Sequence, residues 1–524
     1  AKADLQRLHQ DLRRLNEAEA GEHGWIGRRG AGFARGDGRP VRFWGVNAGG
    51  EIVGLDHASL DALARRLAKA GVNLVRSLDG LWVKGHPETV DPVKLDHLFY
   101  FISALKKQGS YFHVSCWWPL FLEASDAMGL EGYDAAKNKY PFALLFFNPR
   151  LQELHRGWLR TLLTSRNPYT GLTLARDPAL ALLELQNEDG LFFWTFSKAN
   201  IPPPQWRLLE TRYGAWLVKR YGSIEKARLD WIEAREADDS PAEGRMALYE
   251  AWRLTRDGLK SAGPGLRKRV SDQVRFLAEL QRGGYADLVR YVRKDLGARS
   301  LIIASNWVTA DAAQLDALEQ WTYGAGDVLD RHGYFGGKHE GDGADYSVRP
   351  GHTFENRAAV KHPEELPLQF TQVDRMPQLI SEIGWVNPNL YRSDMPFLTA
   401  AYGSLQGLDG LEVFALGGAA WDTSMGKFGL SSPVIMGSFP ACALMYRRGD
   451  VAEAGDAVFQ ALNPEELFAL RGSTTFAAQA LDELRKKDLP GGGAIAGEVR
   501  SLDPLVFYAG RVVRSFDPQA ASRQ

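Results

Sequence analysis

Apolar and polar positions along the chain fall into two alternating textures. Short aliphatic runs, bounded by glycine, asparagine or aspartate, stand at 41–47, 72–77, 110–117, 180–188, 300–306, 327–334, 378–383 and 410–416. Runs of this length read as parallel strands covered on both faces. Between them lie stretches with apolar residues three and four apart, as at 60–70, 92–107 and 151–164, the spacing of helices with one buried face. Repetition of strand and helix predicts a parallel sheet, and eight such strands predict an α/β fold of the (β/α)8, or TIM barrel, type.

Other stretches fall outside this rhythm. Leucines at 5, 8, 12 and 15 among charges predict an amphipathic N-terminal helix over residues 1–23, ahead of a barrel at 24–436. Two short β-like pieces around 24–26 and 32–34 predict a hairpin that closes the barrel floor. Residues 202–296 are long, charged and helical in pattern, more than a crossover needs, and predict a helical insertion after the fourth strand. Residues 335–375, rich in Gly, Asp and His, form a loop of a length that is usually functional inside a compact domain. One helix and β-like pieces such as 505–508 make residues 437–524 a small C-terminal accessory region.

Composition narrows the function. A formal net charge of −1, with basic residues such as Arg65, Arg66, Lys106 and Lys107 set among acids, leaves no electrostatic footprint for nucleic acid. The chain has no apolar stretch of membrane-spanning length. Cys116 and Cys442 lie too far apart in pattern to suggest a disulfide framework, and leave the compartment open. His332, His339 and His352 lack tight ligand spacing, so no metal or other cofactor is expected. The 15 Trp exceed the ordinary need of a core, which suggests flat apolar faces for stacking sugars.

The candidate chemistry sits where two strands end. The fourth apolar run stops at Asn187-Glu188-Asp189-Gly190 and the seventh at Ser381-Glu382-Ile383-Gly384-Trp385. Carboxyl ends of barrel strands share one concave face, and two carboxylates there are what glycoside hydrolysis needs. Glu184, four residues before Glu188 and deeper in the barrel, reads as a structural acid paired with a basic or polar group. His113 on the third strand reads as a core histidine that its strand brings toward a sugar. Trp117, Trp118, Trp194, Trp307 and Trp385 lie near strand ends and divide between sugar platforms and core.

Over roughly residues 24–425 these motifs resemble glycoside hydrolase clan A, the retaining β-glycosidases, and most closely its family 5 cellulase-like members. Asn187-Glu188 matches the clan's strand-four pair and Glu382 its strand-seven nucleophile. Arg76 matches the strand-two arginine beside the nucleophile, and Tyr334, in His332-Gly333-Tyr334, matches the tyrosine that hydrogen-bonds it. Trp421 resembles the strand-eight tryptophan of the sugar site. Asp189-Gly190 stands where a proline commonly follows Asn-Glu, which ties the resemblance to the clan more than to one family.

The resemblance implies a double displacement with Glu382 as nucleophile and Glu188 as acid/base, and a carbohydrate substrate touched by Asn187, Arg76, Tyr334, Trp421, His332, His113, Trp117 and Trp385. An endo-β-glycanase acting on a β-glucan or β-mannan is the first expectation. An exo-acting β-galactosidase-like or β-mannosidase-like enzyme is the second. A transglycosidase shares every residue named, and a sugar-binding barrel without catalysis would be expected to have lost one of them. A secreted or periplasmic protein is expected, and the sequence assigns no oligomeric state.

Overall fold

A computed structural model of the chain describes residues 11–50, 52–77, 80–115, 122–422, 424–473, 502–517, 519–520 and 522. The eight predicted runs become strands β1 (Phe43–Ala48), β2 (Leu74–Ser77), β3 (Tyr111–Ser115), β4 (Leu180–Glu184), β5 (Leu301–Ile303), β6 (Leu329–Phe335), β7 (Gln378–Trp385) and β8 (Gly410–Leu416). Every neighbouring pair is parallel, and β8 returns to pair with β1. A parallel bridge between Ile303 and Val328 joins β5 to the start of β6 and closes the (β/α)8 barrel.

Local sequence explains the helices that cover it. Helix α1 (His57–Lys69) is capped by Asp56, whose side chain accepts from the Ser59 amide, and it buries Leu60, Leu63, Ala64 and Leu67 on one face. Helices α2 (Pro92–Lys107) and α3 (Pro149–Thr164) start with proline in the first turn behind Asp91 and Asn148 caps. The insertion contains α4 (Pro203–Tyr221) and the 27-residue α5 (Pro264–Arg290). Between them it is less helical than its pattern suggested: after the short helix Ile224–Asp230 the chain runs through turns and 3-10 segments, as Pro241, Gly244 and Gly258 break the repeat.

Strand alternation sorts the barrel interior into two layers. Its floor is apolar, with Phe43, Leu74, Tyr111, Leu182, Leu301, Ile303, Val328 and Leu379 packed on Phe33 of the predicted hairpin (Gly27–Arg29 with Gly32–Ala34). Above the floor the inward positions turn polar and form the site described below.

Both chain ends differ from expectation. Residues 1–10 of the predicted N-terminal helix lie outside the described residues. The remainder is a single 3-10 turn, Leu12–Leu15, because the Arg13 guanidinium binds the carbonyls of Glu17, Ala18 and Lys107 and folds the chain back under the barrel. Helices α6 (Ala317–Tyr323) and α7 (Met395–Leu405) follow β5 and β7, and the helix assigned to the accessory region, here α8 (Phe439–Arg448), packs Phe439 and Tyr446 on Trp44 of β1, with ring centroids 5.2 and 5.5 Å apart, and so belongs to the barrel wall. Beyond it, Asp456–Ala461 and Gln372–Val373 flank Arg511–Ser515 in a three-stranded parallel sheet. Buried Arg514 bonds to Asp316 and Gln320 and fastens that sheet to the barrel.

Candidate active site

The centre of the polar layer is Arg76 on β2, which is fully buried. Its Nε and Nη2 donate to Glu184 Oε2 at 3.0 and 2.8 Å. Nη1 donates to Asn47 Oδ1 at 2.9 Å and to Glu382 Oε1 at 2.7 Å. Nη2 also reaches Ser115 Oγ at 3.1 Å and Asn187 Oδ1 at 2.7 Å. One planar fork on β2 thus fixes side chains from β1, β3, β4 and β7 and from the segment after β4, which a single-point ammonium cannot do.

Glu382 is held at both oxygens: Arg76 binds Oε1, and the Tyr334 hydroxyl donates to Oε2. Tyr334 is itself wedged against Phe428 and Phe414. Asn187 can only present its carbonyl oxygen to a guanidinium, so its amide orientation is set by Arg76. Glu188 lies four residues beyond the end of β4, in a turn and not on the strand, with a left-handed φ of 43°. Asn306, just past β5, accepts from the Glu188 amide at 3.0 Å and holds this uncommon backbone conformation. His332 Nδ1 lies 2.7 Å from Glu188 Oε1 and 3.6 Å from Glu382 Oε2. Its Nε2 lies 2.9 Å from Ser381 Oγ, which donates to Asp330 at 2.5 Å.

Ligand atoms of Glu188, His332 and Glu382 all lie within 4.8 Å of one another. The trio has the donor types of a three-ligand cation site, but the Arg76 guanidinium already occupies Glu382 Oε1 and places a fixed positive charge against any metal ion. The arrangement is better matched to two carboxylates acting on one neutral group.

The layer carries more acid than base. Glu184, Asp330, Glu382 and Glu412 are all buried around the Arg76 cation. Burial, partly offset by Arg76, pushes the Glu184 and Asp330 carboxyls up to about 7. Burial likewise moves Glu412 well above the usual carboxylate range. Desolvation lowers His113 to about 3, which keeps this imidazole neutral.

Six of the residues singled out from sequence therefore meet: Arg76, Asn187, Glu188, His332, Tyr334 and Glu382. His113 and Trp385 are turned away from this group. His113, the register partner of Arg76 on β3, is fully buried, with Nδ1 2.8 Å from Glu412 Oε2. Trp385 is 3% exposed and packs on Phe335 in the outer core. Trp421 stands 53% exposed after β8, and Trp117 and Trp118 lie outside the described residues. Sequence reading missed Asn47, Ser115, Asn306, Asp330, Ser381 and Glu412. Single polar residues interrupting apolar runs were the available signal.

No family model and no curated protein matches the sequence. Solved structures do match in fold. A family 42 β-galactosidase from G. stearothermophilus aligns at 14% identity over 84% of this chain and 62% of its own, with a TM-score of 0.52. A β-galactosidase from Bacillus circulans sp. alkalophilus aligns at 12% identity over 86% and 62%, also at 0.52. The endo-1,4-β-mannanase of Rhizomucor miehei aligns at 10% identity over 80% and 99%, with a TM-score of 0.44. The chain shares the (β/α)8 fold of these two β-galactosidases and spans about three fifths of their length.

Proposed function

We propose that the protein is a retaining glycoside hydrolase that cleaves β-linked glycans by double displacement. The carboxylate pair carries this reading. One oxygen of Glu188 and one of Glu382 lie within 4.8 Å of each other, a close approach compatible with the roughly 5–5.5 Å carboxyl separation of retaining enzymes.

In this mechanism Glu382, oriented by Arg76 and Tyr334, attacks the anomeric carbon. As the bond to the leaving oxygen breaks, Glu188 gives that oxygen its proton. Glu188 then takes a proton from water, which attacks the same carbon and releases Glu382. Asn187, its carbonyl turned to Arg76, presents its amino group to the sugar 2-hydroxyl, a contact that strengthens in the oxocarbenium-like transition state.

Endo cleavage of a β-glucan or β-mannan is the first substrate class we propose. One observation favours an exo-acting enzyme of β-galactosidase or β-mannosidase type instead. Trp252 of the insertion packs on Phe193, which packs on Trp307 beside Asn306, so the insertion closes against one edge of the site. Product sizes from a panel of β-glycans and aryl β-glycosides separate the two, and NMR of the first-formed anomer tests retention.

The roles are tested by substitution. Glu382→Gly should abolish hydrolysis, and azide should restore turnover of an activated β-glycoside to give the α-glycosyl azide; near wild-type turnover without azide would remove Glu382 from the nucleophile role. Glu188→Ala should still be attacked on a substrate with a good leaving group and fail on one with a poor leaving group. Equal losses on both would refute the acid role.

A further inference from the structure

A second cavity, of about 240 Å³, opens at the other end of the barrel. Arg42 and Asn73 enter it just before β1 and β2, Tyr111 from the start of β3, and Arg447 and Arg448 from the end of α8. Asn16, Glu17, Arg35 and Arg39 complete its polar wall. Five guanidiniums thus face one lining carboxylate, and that carboxylate is already engaged. Glu17 Oε1 lies 2.6 Å from His23 Nδ1, and the Tyr111 hydroxyl donates to Oε2.

Acids outside the lining balance only part of this charge. Arg35 and Arg39 share Asp37 at 3.0 and 3.6 Å, and Arg448 pairs with Asp450 at 3.2 Å. Arg42 reaches Glu453 at 3.8 Å, but Glu453 is bound more closely by Arg511 at 2.6 Å. Arg447 donates to the carbonyls of Gly71 and Leu15, both at 3.0 Å, and among the described residues no carboxylate lies within ion-pair distance of it. Burial pushes the Arg447 guanidinium down to about 10. A desolvated cation bound only to neutral acceptors is expensive unless an anion joins it.

Two lining side chains also hold buried polar atoms with no hydrogen-bond partner in the protein: Arg42 Nη1, a donor, and Asn16 Oδ1, an acceptor. The Asn16 amide is turned by its amino group, which donates to the Gln108 carbonyl at 3.0 Å. The cavity is smaller than the roughly 300–1,000 Å³ of drug-sized ligand sites, which suits a small ion better than a sugar chain.

We propose that this cavity is a binding site for hydrogen phosphate, held by Arg42 and Arg447 and donating its hydroxyl to Asn16. A phosphate-type oxyanion supplies several acceptors for the guanidiniums, and its protonated form also supplies the donor that Asn16 lacks. Sulfate at neutral pH has the acceptors without the donor. The site lies at the barrel end opposite Glu188 and Glu382, and binding there would brace Leu15–Glu17 and α8 against the strand starts, raising stability by mass action.

Calorimetric titration and thermal unfolding of the full chain with inorganic phosphate, sulfate and chloride at matched ionic strength test the proposal. Phosphate should bind saturably and raise Tm, sulfate should bind several-fold more weakly, and chloride should do neither. Arg42→Gln should weaken phosphate binding by about tenfold, in line with the loss of a charge-assisted hydrogen bond, while leaving basal turnover intact. Arg39→Gln, at a largely exposed side chain, serves as a second variant that folds without difficulty and should weaken binding by a smaller factor. A sugar monophosphate should bind no more tightly than free phosphate. Equal responses to phosphate and chloride, or unaltered phosphate binding in both variants, would overturn the site. Equal binding of sulfate would overturn the assignment to hydrogen phosphate, and tighter binding of the sugar monophosphate would overturn the free ion as occupant.

Discussion

Arg76 shows how much of the site depends on one side chain. Its fork touches Asn47, Ser115, Glu184, Asn187 and Glu382, so Arg76→Lys keeps the charge and loses the geometry. We expect kcat to fall by at least about a hundredfold. Unfolding stability should drop by about 3–5 kcal/mol, because buried partners lose their bonds. Kinetics on an aryl β-glycoside and urea unfolding measure both, and a variant with intact kcat would show that the fork does not position the carboxylates. Glu188 and Glu382 were readable from sequence because carboxylates near the ends of apolar runs fall at the concave end of a barrel, and Arg76 because the family resemblance implied it. Their partners were not. Asp330, Ser381 and Glu412 are polar interruptions whose meaning depends on which strand they face, and a linear pattern does not carry that. Trp385 was misjudged for a related reason: three residues after Glu382, it faces the helices and not the barrel interior.

At the level of elements, the turn after β4 is built by its neighbours. Asn306 accepts from the Glu188 amide, while Asp189 accepts from the amides of Ala143 and Gly190 at 2.8 and 2.9 Å. Asn306→Ala removes the first restraint, so Glu188 should relax from its left-handed φ. The expected result is at least a tenfold loss of kcat for a stability loss of only about 1–3 kcal/mol, the scale of one buried amide left unpaired. A parallel loss of stability with unaltered kcat would assign Asn306 to folding alone. The eight strands were readable because aliphatic runs between turn formers have few alternatives. The end of β4 was not, since Leu185 continues the apolar run after the last ladder position. Nor was the place of α8, as Phe439 and Tyr446 reveal their partner Trp44 only in three dimensions.

For the molecule as a whole, buried acids set the dependence of stability on pH. Burial raises Glu184, Asp189, Glu319 and Asp330 to about 7 and Asp409 to about 8. In the unfolded chain these groups ionise near 4. Between about 4 and 7 to 8 the folded protein holds more protons than the unfolded chain, so their stabilising contribution is lost progressively across that interval and is gone above it. His113 and His155, lowered to about 3 by burial, act in the opposite sense, but only below their unfolded value of about 6.5. Thermal unfolding should therefore show Tm falling between about pH 6 and 8, where the histidines no longer oppose the acids, with a shallower fall in Glu412→Gln. A rising Tm across that window would contradict the buried-acid account.

The small sheet beside the barrel has its middle strand, Arg511–Ser515, later in the chain than both flanking strands, Gln372–Val373 and Asp456–Ala461. During synthesis both edges emerge before the strand that pairs with them. Until it arrives, their backbone amides and carbonyls are open, and Asp316 awaits the guanidinium of Arg514. The barrel strands can thus pair before this seam is complete, and until Arg511–Ser515 arrives its two flanking strands are exposed to pairing with another chain.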